Sequence, residues 1–309
     1  MAGSSKKAIY AALFGNLGIA ITKFIAAIST GSVSMWAESY HSVSDTVNQL
    51  LLLFGIKRSK RAYSFSHQFG HSREQFFWSF IVASLIFGIS GTLSLENGIS
   101  AILHGGHNLE NATINFIVLI IAAGFEGYAL RIALKQLRMV IKERGEEPTF
   151  KAMIAEFKDS KDPALLTVIT EDTAALSGIG VAALGIFLSM ITGNPIYDAI
   201  GSIVIGAILM VLALFLAKEN KDLLIGESMS KREYKKIVDV IRDIEEINRV
   251  VTLKTMHLGP EDVLIGVQVN LIDGLDTDKI ELVTDKVEKA IMEIIPNLNR
   301  QHIFVEIER

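Results

Sequence analysis

A histidine and an aspartate stand one helical turn apart inside an apolar stretch: His41 and Asp45, in SVSMWAESYHSVSDTVNQLLLLFG. Side chains at i and i+4 project from one side of a helix. Glu38 lies a further turn back, so one stripe carries three ionisable groups. A later apolar stretch, PALLTVITEDTAALSGIGVAALGIF, carries Glu171 and Asp172. Imidazole nitrogen and carboxylate oxygen together suit zinc, and also manganese, iron or cobalt. The competing reading is a buried polar pair that bonds a neighbouring helix and holds it in place. An ionisable side chain at the centre of a bilayer costs about 2.5–3.5 kcal/mol on insertion scales. A chain that accepts this cost on two segments has a use for the groups, and His41, Asp45 and Asp172 are together able to give one ion three ligands.

A mechanism follows from the ligand types. Histidine binds a metal only when neutral, and a carboxylate only when ionised. Metal entry therefore expels protons, and protonation expels metal. A site that faced each side of a membrane in turn would exchange the two, and midplane sites between rocking helix bundles are the usual arrangement in secondary transporters.

The elements that must position these residues are long apolar helices. The chain has 309 residues, 50% of them hydrophobic, and a mean hydropathy of +0.38. Six segments approach the roughly 20 residues needed to span a bilayer: Ile9–Ile28, Ser34–Ile56, Phe76–Leu103, Ile114–Ala133, Leu165–Ile191 and Ile196–Ala217. Lys57, Arg58, Lys60, Arg61 and Arg73 follow the second segment. Arg138, Lys142, Arg144, Lys151, Lys158 and Lys161 follow the fourth, and the other three loops have no Lys or Arg. The positive-inside rule then puts both termini on the cytoplasmic side. No cleavable signal peptide and no arginine-rich transit peptide is expected.

Beyond about residue 218 the chain becomes charge-rich, which predicts a membrane domain over 1–218 and a cytoplasmic domain over 219–309. In that tail an amphipathic helix, two strands, a second helix and a third strand follow one another. This αββαβ order predicts a small two-layer, ferredoxin-like α+β domain. NKDLLIGESMS reads as its connector. The net charge of −4 implies no nucleic-acid partner, and the absence of cysteine excludes disulfides, thiolate metal sites and cysteine nucleophiles.

The stretch GNLGIAITKFIAAISTGSVSMWAESYHSVSD resembles the first two helices of the cation diffusion facilitator family. Asn16, Lys23, Gly31, Ser34, Ala37, Glu38 and the His41-x-x-x-Asp45 signature carry the resemblance. HQFGHSREQFFWSFIVA is similar to that family's entry into the third helix, and EDTAALSGIG with TGNPIYDAIGS looks closest to the zinc transporter 9 branch. The resemblance implies a homodimeric exporter of a divalent cation, most often zinc, in exchange for protons. No cofactor is implied beyond the transported ions, and the membrane expected is the cell (plasma or inner) membrane. It puts His41, Asp45 and Asp172 in ligand places. At Val168, where most of the family has a ligand, this chain has a side chain that cannot bind metal. Glu171 is the natural substitute, although it sits about 100° round the helix from Asp172.

The same resemblance gives His67 and His71 a possible second zinc site near the membrane surface, with Ser64 a poor third ligand. Their alternative role is to cap a helix or bond backbone. In the tail, the family's zinc places fall on Val267, Glu306 and Glu308, which lack histidines, while His257 and His302 read as exposed strand residues. His104 and His107 read as solvated. Lys23 is expected to pair with a carboxylate or to snorkel, Glu126 to make a packing ion pair or relay protons, and Asp198 and Asn194 to cap the sixth segment. Two rival functions remain beside a zinc exporter: the same machine moving manganese, iron or cobalt, and a non-transporting membrane metal sensor or scaffold. A hydrolase is disfavoured, because no base, nucleophile or oxyanion feature stands beside the ligands.

Overall fold

The computed structural model describes residues 2–105, 111–143, 145–160, 162–260, 262–295 and 298–308. His107 lies outside them. The chain divides into two compact units, residues 1–55 with 77–220, and residues 56–76 with 221–309.

The first unit is helical. Its helices are α1 (Ala2–Thr30), α2 (Val33–Ser59), α3 (Glu74–Ile81), α4 (Gly88–His104), α5 (Ala112–Glu143), α6 (Phe150–Asp159), α7 (Pro163–Thr192) and α8 (Ile196–Ile225). A π-helical segment, Val82–Phe87, links α3 and α4. Among the described residues, four runs are long and apolar enough to cross a membrane: Glu74–His104, Ala112–Lys142, Pro163–Thr192 and Ile196–Ile225. Among the described residues, α1 adds a shorter apolar stretch, Gly15–Thr30. Helix α2, with 27 residues, is long enough to span. Its Ser, Glu, His, Asp and Asn residues keep it out of the apolar class.

Local chemistry sets the helix ends. Gly31 turns the chain between α1 and α2 at φ 71°, a conformation that favours glycine. Gly193 closes α7 at φ 67°, and Asn194 accepts from the Ile196 amide at 3.0 Å at the start of α8. Asp198, expected to cap its own helix, instead caps α2. Its carboxylate accepts from Val33 N at 2.6 Å, Ser34 N at 3.3 Å, Ser32 Oγ at 2.9 Å and Ser34 Oγ. The reason is reach: the carboxylate faces the open amides of a neighbouring helix start. Small residues hold α4 against α8. The Ser202 hydroxyl donates to Ser94 O at 2.8 Å, and a Cβ on Gly98 would stand 2.7 Å from Ala199 O. The polar span before α7 contains an amphipathic helix, α6, capped by Thr149.

The second unit has a three-stranded sheet in the order β1 (Ile247–Gly259), β2 (Asp262–Leu271), β3 (Ile303–Glu308). The first pair is antiparallel and the second parallel. Val263, Ile265, Val267 and Val269 alternate into a core shared with α9 (Lys231–Arg242) and α10 (Thr277–Ile294). Ser230 and Glu233 form a capping box on α9, and Asp276 caps α10. The expected αββαβ order is present. NKDLLI, expected as connector, continues α8 to Ile225, since its Asn, Lys, Asp, Leu and Ile residues contain no helix breaker before Gly226. His257 and His302, expected exposed, are 6% and 2% exposed. A carboxylate explains His302, whose Nδ1 lies 2.7 Å from Asp262 Oδ1.

Candidate metal centre

Helix α2 places Glu38, His41 and Asp45 on one stripe, and all three are buried. His41 Nδ1 lies 3.1 Å from Asp45 Oδ1. Glu38 turns the other way: its Oε2 accepts from Lys23 Nζ of α1 at 2.7 Å, with both side chains 0% exposed. Lys23 therefore pairs rather than snorkels, and it neutralises the carboxylate nearest the start of α2.

Helix α7 supplies the other half. Asp162 and Pro163 start it, the aspartate accepting from the Ala164 and Leu165 amides at 2.9 and 3.2 Å. Glu171 and Asp172 are both buried, at 4% and 7% exposure. The offset of 100° between them therefore does not turn either to the outside. Glu171 Oε2 accepts from Asn48 Nδ2 of α2, and Glu171 lies in the field of Asp45 and Asp172. Oδ2 of Asp172 makes no hydrogen bond to a described residue. Val168 packs with Leu130, Leu134, Leu137 and Ile169 in an apolar cluster between α5 and α7.

Two residues join this group that the sequence did not single out for it. Asn48 follows Asp45 by three positions on the same stripe, and the signal was a lone amide in TVNQLLLLFG. Glu126 of α5, only 7% exposed, lies in the field of Asp45, Lys23, His41 and Glu38 as well as Asp172. Helix α5 packs against both α1 and α7, which brings it there. The centre thus gathers five carboxylates and one imidazole around one lysine. In this arrangement no three His, Asp or Glu side chains among the described residues stand close enough to hold one ion. Instead His41 faces Asp45, and Glu171 is engaged by Asn48.

His67 and His71 lie in the second unit. Their rings stack at 4.3 Å. The backbone of His67 closes a tight turn with Ser64, through N–H···O bonds of 3.0 and 3.2 Å, and His71 O accepts from Glu74 N at 2.9 Å. Ser64 Oγ lies 3.4 Å from Ser66 Oγ. The same loop packs Phe69 on His302 and Phe304, and Tyr63 accepts from Asn299 at 2.8 Å. His104 is exposed, with Nδ1 3.0 Å from Ser100 O. In the tail Val267 is buried and Glu306 exposed.

Residues 9–225 match the cation efflux transmembrane domain. The chain is 32% identical over 272 residues to the mouse (Mus musculus) protein named "Proton-coupled zinc antiporter SLC30A9, mitochondrial", covering 88% of this chain and 47% of that protein. It is 33% identical over 260 residues to metal tolerance protein C4 of Arabidopsis thaliana, covering 83% and 55%. Magnetosome protein MamB of Magnetospira is 25% identical over 96% of this chain and 93% of its own. The chain thus spans about half the length of the first two relatives, 47% and 55%. With residues 9–225, most of this chain, matching the family's transmembrane domain and these relatives beside it, the chain belongs to the cation efflux family, a family of transporters and not of enzymes, near the zinc transporter 9 branch.

Proposed function

We propose that this chain exports a divalent cation, with zinc the leading substrate, in exchange for protons. His41 and Asp45 of α2 and Asp172 of α7 form the transport site, and Glu171 takes the part that Val168 cannot. One observation carries the reading: nitrogen and oxygen donors from two helices are buried together in an apolar body, with Asp172 Oδ2 lacking a hydrogen-bond partner among the described residues. Such donors stay buried where they meet a cation. The mouse relative, named a proton-coupled zinc antiporter, supports both the metal and the exchange.

In this reading six helices span the membrane. Helix α2 does so in spite of its polarity, because its polar stripe faces other helices. Residues 1–218 form the transport domain and 219–309 a ferredoxin-like domain through which two copies pair, and both termini face the cytoplasm. The membrane is the cell (plasma or inner) membrane. His67 and His71 form a second, surface metal site.

The test is zinc-driven proton flux in proteoliposomes. Asp45→Ala and Asp172→Ala are each expected to abolish flux while the protein still elutes as folded; normal flux in both would remove the assignment. Running zinc, manganese, iron, cobalt and cadmium in the same vesicles decides the metal, and metal binding without flux in the unaltered chain would make it a sensor.

A further inference from the structure

Asn48 is fully buried, at 0% exposure, within α2. Its Nδ2 donates to Glu171 Oε2 across the α2–α7 boundary. Its Oδ1 is buried and makes no hydrogen bond to any described residue. A buried amide oxygen left unpaired is costly, and such atoms call for a function or a missing partner. Helical geometry says where that oxygen stands. His41, Asp45 and Asn48 occupy i, i+4 and i+7, which fall within an arc of about 60°, with Asn48 about 4.5 Å along the axis from Asp45. The amide orientation agrees with its neighbour, because a carboxylate oxygen accepts from the NH₂ end and repels the carbonyl end.

We propose that Asn48 belongs to the cation site: its NH₂ positions Glu171 beside Asp45, and its Oδ1 is a neutral oxygen ligand for the transported ion. The inference rests on the transport-site reading above and deepens it. Oxygen donors favour harder divalent ions, whereas nitrogen and sulfur donors favour zinc and cadmium. A neutral oxygen completes the coordination of a dication without adding negative charge to a buried group already rich in carboxylates. It also supplies from α2 a donor that the apolar Val168 does not supply from α7.

The test uses the full chain in detergent for zinc titration calorimetry and in proteoliposomes for transport of zinc and manganese. Asn48→Leu keeps the shape and removes both functions. It is expected to raise the zinc Kd by a factor of about ten or more, the equivalent of one hydrogen bond to a charged group. Asn48→Asp keeps an oxygen, replaces the donor and adds charge. It is expected to shift the ratio of manganese to zinc transport toward manganese, a change that a purely structural role would not produce. Zinc affinity within about twofold of the unaltered chain in Asn48→Leu, or an unchanged or zinc-shifted ratio in Asn48→Asp, would overturn the inference. If Asn48→Leu does not fold, Asn48→Asp decides. Asp45→Ala and Asp172→Ala run alongside. Should they keep zinc binding, the transport-site reading itself fails, whereas their loss of binding beside a normal Asn48→Leu removes Asn48 alone.

Discussion

Replacing Lys23 by methionine should destabilise the helical unit far more than replacing Lys23 and Glu38 together. The two side chains are 0% exposed and their charged atoms are 2.7 Å apart. Glu38 Oε1 has no hydrogen-bond partner among the described residues, and a Cβ on Gly178 would stand only 2.5 Å from it. Lys23 is thus the principal compensation for that carboxylate, and α7 approaches too closely for another group to enter. Removing one partner of a buried pair costs about 3–5 kcal/mol, because the other charge is left without compensation. At roughly 2–4 °C per kcal/mol, the thermal midpoint in detergent should fall by about 6–20 °C. Lys23→Met with Glu38→Leu preserves volume and removes both charges, so it should recover most of that loss. The assay is thermal unfolding of the purified full chain, single and double variants side by side. A Lys23→Met midpoint within about 2 °C of the unaltered protein, or a double variant less stable than the single, would refute the reasoning.

Gly98→Val should lower stability by about 1–3 kcal/mol, because its Cβ would meet Ala199 O at 2.7 Å and Ile203 N at 3.0 Å; an unchanged midpoint would mean that α4 and α8 separate without cost. Asp198→Ala should cost about 2 kcal/mol or more, since it strips the start of α2 of acceptors for the Val33 and Ser34 amides; amide hydrogen exchange at those residues should rise, and unchanged protection would count against the cap. Zinc affinity should strengthen as pH rises from about 6 to 8, since binding needs neutral imidazole and ionised carboxylate. Proton release on zinc addition in weakly buffered solution measures this, and pH-independent binding would exclude proton–metal competition.

Much of this arrangement was legible because membrane helices write themselves in long apolar runs and strands in alternation. The tail order and the burial of Glu38, His41 and Asp45 follow from spacing. What stayed hidden was lateral. No periodicity in α8 says that Asp198 reaches the amides of α2 rather than its own, since an aspartate near a helix start fits both roles. His302 looked exposed in an alternating strand, but it sits in the 3₁₀ turn before β3, beside Asp262. Glu126, expected to make a packing ion pair or relay protons, had no visible link to the centre because only the packing of α5 on α1 and α7 brings it there. Asn48 was passed over because a single amide in an apolar run has no spacing of its own until Glu171 is placed opposite.

Charge balance ties these residues to the proposed exchange. Lys23 cancels Glu38, which leaves Asp45, Glu126, Glu171 and Asp172 with His41 in a low-dielectric interior. Several carboxylates so close together repel one another unless cations share the site. A divalent ion and two protons bring the same charge to such a cluster, so it can pass from one occupancy to the other with its net charge unchanged. A neutral Asn48 serves that alternation better than a further acid would, because it bonds Glu171 and offers an oxygen while leaving the charge count unchanged.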